Sequence, residues 1–240
     1  MSSLRTTTWG SGERVAVLLH GMMGSAQQYH RVGPALADRG YRAIAVDLPG
    51  HGNSPPARSN LAAWATAVTA SVPTNPALAI GQSLGAVVLA AAVPKLQPVR
   101  AVYVDIPLIA SAGPPHTAEE LTAKFTAAQA GRTADALRVS KPAWSETDRQ
   151  VEATAAQQFD IATAVALELG DNQHQAPTAD TPSLVIHADP SRYVSTTRAA
   201  ELQALGFDVR AIPGADHTIW YSHFDQFMAA LDEWVGNDTT

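Results

Sequence analysis

Residues 77–93 read ALAIGQSLGAVVLAAAV, and this stretch decides the fold prediction. Its first four residues are an apolar run typical of a buried strand, and the small apolar residues after Gly85 favour a helix. Between them lies Gly-Gln-Ser-Leu-Gly, a G-x-S-x-G pattern that places a serine on a tight turn from strand to helix. A Cβ atom at Gly81 or Gly85 would collide with neighbouring backbone in such a turn. The pattern therefore predicts that Ser83 is a nucleophile held in a cleft.

Composition narrows the class of protein. The 240 residues are 46% hydrophobic and 16% charged, which favours one compact globular domain over a disordered chain. The net charge of −6 without a basic cluster argues against nucleic acid or an anionic membrane as partner. Cysteine is absent, which excludes disulfides, thiol catalysis and thiolate metal sites. No apolar run resembles a membrane span or a signal peptide, so we predict a cytoplasmic protein.

Strand and helix patterns alternate along the first part of the chain with short connections. Such alternation predicts an α/β fold with a parallel sheet covered on both faces. A capping box of Ser25 and Gln28 is predicted to begin the first helix, and Pro94 is predicted to end the helix after Ser83. The predicted strands here are Arg14–Leu19, Arg42–Val46, 77–80 and Ala101–Val104.

The alternation stops after Asp105. Residues 107–180 hold Ala-rich amphipathic segments at 117–130, 132–139 and 146–169, and we interpret this stretch as a helical lid inserted into the sheet domain. The domain itself is predicted to consist of residues 1–106 and 181–240, with further strands at 183–187 and 208–212.

Four local patterns occur in one order along the chain. They are His20-Gly-Met-Met-Gly24 after the first long strand, Asp47-x-Pro-Gly-His-Gly-x-Ser54, the serine turn, and a lone His217 after the last strand. Together they make nearly the whole chain resemble the α/β-hydrolase superfamily. The resemblance implies a mostly parallel sheet with helices on both faces and a helical lid.

The resemblance also assigns catalytic roles. Ser83 is expected to attack, with His217 as the base that removes its proton. The backbone N–H groups of Met22 and Leu84 are expected to form the oxyanion hole.

Two aspartates compete for the role of the acid that orients His217. The position that relatives usually use holds Ser191 here, while Asp189 stands two positions earlier in the same loop. Asp105 ends the strand after the nucleophile helix, where haloalkane dehalogenases, some lactonases and cofactor-free dioxygenases carry their acid. We predict Asp105, with Asp189 as the alternative.

The substrate pocket is predicted to be largely apolar. Met23, Trp144 and Trp220 are its candidate lining residues, which favours a small to medium, largely apolar substrate. The chain carries no H-E-x-x-H, no phosphate-binding glycine loop and no complete dinucleotide fingerprint. No cofactor or metal is therefore implied, and the expected partner is a small-molecule substrate.

These residues predict a serine hydrolase that cleaves an ester or lactone through an acyl-enzyme. A carbon–carbon bond hydrolase or a cofactor-free dioxygenase that uses the His–Asp pair is the first alternative. A small-molecule sensor on the same fold is the second.

Overall fold

The computed structural model describes residues 3–109, 116–170, 179 and 181–236. A seven-stranded sheet with the order β1-β3-β2-β4-β5-β6-β7 forms its centre. Strands β2 to β7 run parallel, and β1 pairs antiparallel with β3 at the edge. The strands are β1 Thr6–Trp9, β2 Arg14–Leu19, β3 Tyr41–Val46, β4 Leu78–Gln82, β5 Ala101–Val104, β6 Ser183–Asp189 and β7 Asp208–Pro213.

Helices cover both faces of this sheet. A short 3-10 helix, Ala26–Tyr29, precedes the first α-helix. The α-helices are α1 Val32–Asp38, α2 Leu61–Thr69, α3 Leu84–Leu96, α4 Ala118–Ala130, α5 Ala134–Ser140, α6 Glu146–Gln157, α7 Ile161–Leu169, α8 Thr196–Ala204, α9 Ile219–Ser222 and α10 Phe224–Gly236. No helix in the described ranges has the length and apolar character that crossing a membrane requires.

Two hydrophobic cores follow from the alternation of side chains along each strand. In β2, Leu18 packs into the core beneath α1 and α10, whereas Val17 and Leu19 pack into the core beneath α2 and α3. Strands buried on both faces read as continuous apolar runs, which is why their positions could be predicted from sequence. The predicted mostly parallel α/β architecture is confirmed.

Three local predictions need correction or addition. The Ser25 side chain makes no capping bond, and Gln28 turns instead toward the interior. Pro94 lies inside α3, which continues to Leu96, because a proline in the last turn removes only one hydrogen bond near a helix end. The antiparallel edge strand β1 has no counterpart in the sequence prediction, since its polar Thr-Thr-Thr run lacks an apolar signal.

Four helices, α4 to α7, lie between β5 and β6, and we call them the helical insertion. Helix α4 packs against α7, and α6 contacts the 3-10 helix that follows β2. Capping boxes headed by Thr117 and Ser145 begin α4 and α6. The predicted range 107–180 also includes residues 110–115, 171–178 and 180, which lie outside the described residues.

Candidate active site

Ser83 occupies a strained turn between β4 and α3. Its φ of 51° and ψ of −117° are unusual for a residue with a side chain. A Cβ atom on Gly81 would come within 2.5 Å of the Gly85 carbonyl oxygen, and one on Gly85 would overlap the Leu19 carbonyl group. The steric reason for both glycines is thus confirmed. The turn directs Ser83 into two cavities that meet there.

His217 and Asp105 form a close pair beside this turn. Nδ1 of His217 lies 2.6 Å from Oδ2 of Asp105. The carboxyl group is almost fully buried at the end of β5, and its other oxygen accepts bonds from the Ala188 N–H (3.1 Å) and the Ser191 hydroxyl (2.7 Å). A carboxylate that accepts from every neighbour fixes the proton on Nδ1 and leaves Nε2 of His217 as the basic nitrogen.

Asp189, the alternative acid, lies elsewhere. Asp189 is the last residue of β6, and its side chain is exposed. Its backbone carbonyl oxygen accepts a hydrogen bond from the Gly214 N–H at 2.7 Å. Ser191 stands where relatives usually place their acid, and here it donates to Asp105. The structure therefore brings Asp105, and not Asp189, to His217.

The His20 side chain supports the loop after β2 through two hydrogen bonds. The Leu48 N–H donates to Nε2 of His20 at 3.0 Å, so Nδ1 carries the proton and donates to the Gly21 carbonyl at 2.8 Å. Burial lowers the pKa of His20 to about 4, so the ring is neutral at neutral pH. This arrangement supports the turn that contains Met22.

Leu84 is the first residue of α3. The N–H groups in the first turn of a helix have no acceptor within the helix, and they carry the positive end of its dipole. Met22 and Leu84 both border the large cavity beside Ser83. The two predicted oxyanion-hole residues therefore border the same cavity as Ser83.

Two glutamine side chains connect the loop after β2 with the loop that carries His217, and sequence reasoning missed this connection. The Gly21 N–H donates to Gln28 Oε1, Gln28 Nε2 donates to Gln82 Oε1, and Gln82 Nε2 donates to the His217 carbonyl, each at 3.2 Å. Both glutamines are buried. The available signal was Gln82 itself, a polar residue at the end of an otherwise apolar strand.

Two cavities of different character meet at Ser83. The larger, about 580 Å³, is mostly apolar, while the smaller, about 200 Å³, is bordered by polar side chains and by His217. Of the predicted pocket residues, Met23 borders the larger cavity and Trp144 the smaller. The side chains common to both cavities are Met22, Ser83, Arg132 and Tyr193.

Trp220 does not lie in the pocket, contrary to expectation. Its side chain is fully buried, its ring stacks on Tyr29 with centroids 5.0 Å apart, and its Nε1 donates to the Gln28 carbonyl at 3.0 Å. Helix α9 begins only two residues after His217 and turns Trp220 toward the core. Trp144, in contrast, has its Nε1 bonded to Asp216 at 2.9 Å.

The pocket also carries charges that its predicted apolar character did not include. Arg132 follows α4, and its Nη1 donates to Glu152 Oε2 on α6 and to the Met22 carbonyl, both at 3.3 Å. Burial raises the pKa of Glu152, and the positive charge of Arg132 opposes that shift. Neither residue belongs to a sequence motif, so sequence reasoning had no signal for them.

Metal ligation finds no support in the described part of the chain. Those residues contain no group of three histidine, aspartate or glutamate side chains that could hold an ion.

Comparison with known families identifies this architecture. Residues 16–230 match the model of the Alpha/beta hydrolase family, which covers most of the chain. The chain belongs to the alpha/beta hydrolase family. Hydrolysis is the reaction class that this membership supports.

Solved structures of the same fold span several named activities. An esterase from Exiguobacterium antarcticum is 16% identical, with a TM-score of 0.75 over 97% of this chain and 95% of its own. N-formylmaleamic acid deformylase from Pseudomonas putida is 20% identical, with a TM-score of 0.74 over 95% of this chain and 96% of its own. A bromoperoxidase from Bacillus anthracis is 20% identical, with a TM-score of 0.74 over 96% and 94%. No curated protein sequence matches the chain.

Proposed function

We propose that this alpha/beta hydrolase cleaves a carboxylic ester or lactone through an acyl-enzyme on Ser83. The observation that carries the proposal is the nucleophile turn: Ser83 faces the same small cavity as His217, whose ring is bonded to buried Asp105. A serine, a histidine and a carboxylate in this relation can perform acyl transfer without any further group.

In the first half-reaction, the Ser83 hydroxyl attacks the carbonyl carbon while Nε2 of His217 takes its proton. Asp105 stays ionised, holds the ring in one tautomer and stabilises the imidazolium. The amides of Met22 and Leu84 hold the developing oxyanion, and each such donor contributes roughly 3 kcal/mol of transition-state stabilisation. The tetrahedral intermediate then collapses, and His217 gives its proton to the departing alkoxide oxygen.

In the second half-reaction, water replaces the alcohol. His217 removes a proton from the water as its oxygen attacks the acyl carbon, and the ester bond to Ser83 breaks. The same proton returns to the Ser83 oxygen, so the enzyme is regenerated and the carboxylic acid is released.

The two cavities suit the two halves of an ester. His217 must lie within hydrogen-bond reach of the leaving oxygen, so the leaving group belongs in the small cavity that His217 borders. The acyl group then occupies the larger, mostly apolar cavity. In this proposal the helical insertion acts as a lid over the sheet domain, because α4 and α7 supply Phe125 and Leu167 to the acyl cavity.

Active-site labelling tests the proposal directly. A fluorophosphonate probe is expected to add one covalent adduct to Ser83, mapped by peptide mass spectrometry, and to abolish hydrolysis of p-nitrophenyl butyrate. Ser83→Ala lacks the reacting hydroxyl and is expected to stay unlabelled, whereas the matched control Ser140→Ala changes an exposed serine at the end of α5 and is expected to be labelled. Absence of both labelling and ester turnover in the wild-type protein would refute the proposal.

A further inference from the structure

Arg132 stands at the junction of the two cavities. It is one of four residues that border both, and the others are Met22, Ser83 and Tyr193. It is the only cation in that set. A guanidinium at this point borders the space that a substrate spanning the two cavities would occupy.

The guanidinium is fixed in place yet retains free donors. Nη1 is used by Glu152, whose side chain is 6% exposed, and by the Met22 carbonyl. None of the described residues accepts a hydrogen bond from Nε or Nη2. Three N–H groups of the guanidinium are therefore not used by the described residues, and its side chain is 36% exposed, so a ligand can reach them. A planar guanidinium matches a carboxylate in two parallel bonds.

The charges around the two cavities are balanced. Lys141 pairs with Asp216 at 2.9 Å and Arg132 with Glu152 at 3.3 Å, while Lys124 and Glu168 border the larger cavity. The attraction for an anionic group therefore comes from the unused N–H donors of Arg132 at short range, and not from the overall charge of the cleft.

The small cavity has the size and polarity of a compact, hydrogen-bonding group. Its 200 Å³ equals the share of about seven water molecules in the liquid. Its border includes Gln28, Lys141, Glu152 and Tyr193 beside Arg132. An extended hydrocarbon group would remove water from the charged groups of Lys141, Glu152 and Arg132 without offering them a new hydrogen bond.

We infer that the leaving group of the substrate carries a carboxylate, and that Arg132 binds it in the small cavity. The inference rests on the proposed acyl-enzyme chemistry and specifies its substrate as the ester of an apolar acid with a small hydroxy acid. The apolar acyl chain fills the larger cavity, and the carboxylate accepts hydrogen bonds from the unused donors of Arg132.

A matched pair of substrates isolates this interaction. The hexanoyl ester of glycolate carries the carboxylate, and the hexanoyl ester of glycolamide has the same shape without the charge. The wild-type enzyme is expected to prefer the glycolate ester by about 10- to 100-fold in kcat/KM, as a charge-assisted pair provides. Glycolate, but not glycolamide, is expected to inhibit p-nitrophenyl butyrate hydrolysis competitively.

Three variants separate recognition from support of the loop. Arg132→Gln removes the cation, and Arg132→Gln with Glu152→Gln removes both charges, so that no buried carboxylate is left unpaired. In both of these variants, the ratio of kcat/KM for the glycolate ester to kcat/KM for the glycolamide ester is expected to fall to about one. A loss of activity that affects the two esters equally does not change this ratio. Arg138→Gln changes an arginine of the insertion that pairs with Glu146 away from the cavities, and it is expected to keep the wild-type ratio.

The remaining outcomes distinguish a failure of this inference from a failure of the proposed function. Equal kcat/KM for the two esters in the wild type, or an unchanged ratio in the double variant, would overturn carboxylate recognition. If Ser83 is labelled and p-nitrophenyl butyrate is cleaved, that failure leaves the proposed function standing. If Ser83 is neither labelled nor active on any ester, the proposed function fails first and the inference fails with it.

Discussion

The carboxyl edge of the sheet and the helical insertion contribute to the site in different ways. The residues proposed for the reaction follow the ends of parallel strands: Ser83 after β4, Asp105 after β5 and His217 after β7. The insertion contributes Trp144, Arg132 and other side chains of the cavity walls. Parallel strands place their carboxyl ends side by side, so the reacting groups meet regardless of the substrate.

The backbone at the two regions differs as well. Ser83 and Asp105 both have positive φ, 51° and 50°, and at Ser83 the flanking Gly81 and Gly85 allow close contact between backbones. The insertion consists of regular helices with capped starts. We propose that the sheet edge determines the reaction, whereas the insertion contributes to the choice of substrate. Each prediction below tests that division.

The largest effect is expected at the nucleophile. Ser83→Ala and His217→Ala are each expected to lower kcat for p-nitrophenyl butyrate by about a million-fold, because the two residues act as a unit. Single-turnover assays and circular dichroism would check activity and folding. A Ser83→Ala protein that retains turnover while His217→Ala loses it would instead indicate base catalysis by the His217–Asp105 pair alone.

The next effect separates the two aspartates. Asp105→Asn is expected to lower kcat by about 10⁴-fold, because an amide at this position favours the wrong tautomer of His217. Asp189→Asn serves as the matched control and is expected to stay within about twofold, since its side chain is exposed. Comparable losses in the two variants would contradict the assignment of Asp105.

The stability of the folded protein at low pH tests the contact between the sheet edge and the helical insertion. His51 contacts His20 of the sheet edge and Phe159 of the insertion, with ring centroids 5.0 and 4.9 Å apart. Burial lowers the pKa of His20 to about 4 and that of His51 to about 3. A histidine in the unfolded chain has a pKa near 6.5, so as the pH falls the unfolded chain takes up protons at these two residues before the folded protein does. The free energy of unfolding is therefore highest above about pH 6.5 and decreases as the pH falls toward 4.

For His20 alone, the free energy of unfolding is expected to fall by about 2 kcal/mol from pH 7 to pH 5. Urea unfolding at several pH values measures this slope. His51→Leu removes one titrating ring from an apolar contact and is expected to flatten the slope. A stability that is independent of pH over this range would contradict the buried neutral state of both rings.

The smallest effect is expected from the insertion. Ala128 of α4 borders the acyl cavity, so Ala128→Trp is expected to lower kcat/KM for p-nitrophenyl octanoate by about tenfold through KM, with little change for the acetate. Ala127→Trp places the same ring one position along the helix, at an exposed residue, as control. Equal losses on both esters would show that the insertion also supports the reaction itself.

Much of the sheet edge could be predicted from sequence because its signals are local. Strand Arg14–Leu19 was predicted with its observed bounds, since a continuous apolar run of only six residues favours a strand buried on both faces. The serine turn could be predicted because its glycines have one steric explanation. Trp220 was placed wrongly in the pocket, because the direction of a side chain three residues after His217 depends on where α9 begins.

By itself, the sequence determined the succession of the parallel strands β2 to β7, the serine turn and the lone histidine after the last strand, because each depends on neighbours within a few residues. Only the tertiary structure decided that Asp105 meets His217, that Gln28 and Gln82 connect two loops, and that Arg132 and Glu152 face Ser83. These residues lie far apart in the chain and carry no periodic signal. Their proximity arises from the pairing of strands and the packing of helices, which no short stretch encodes.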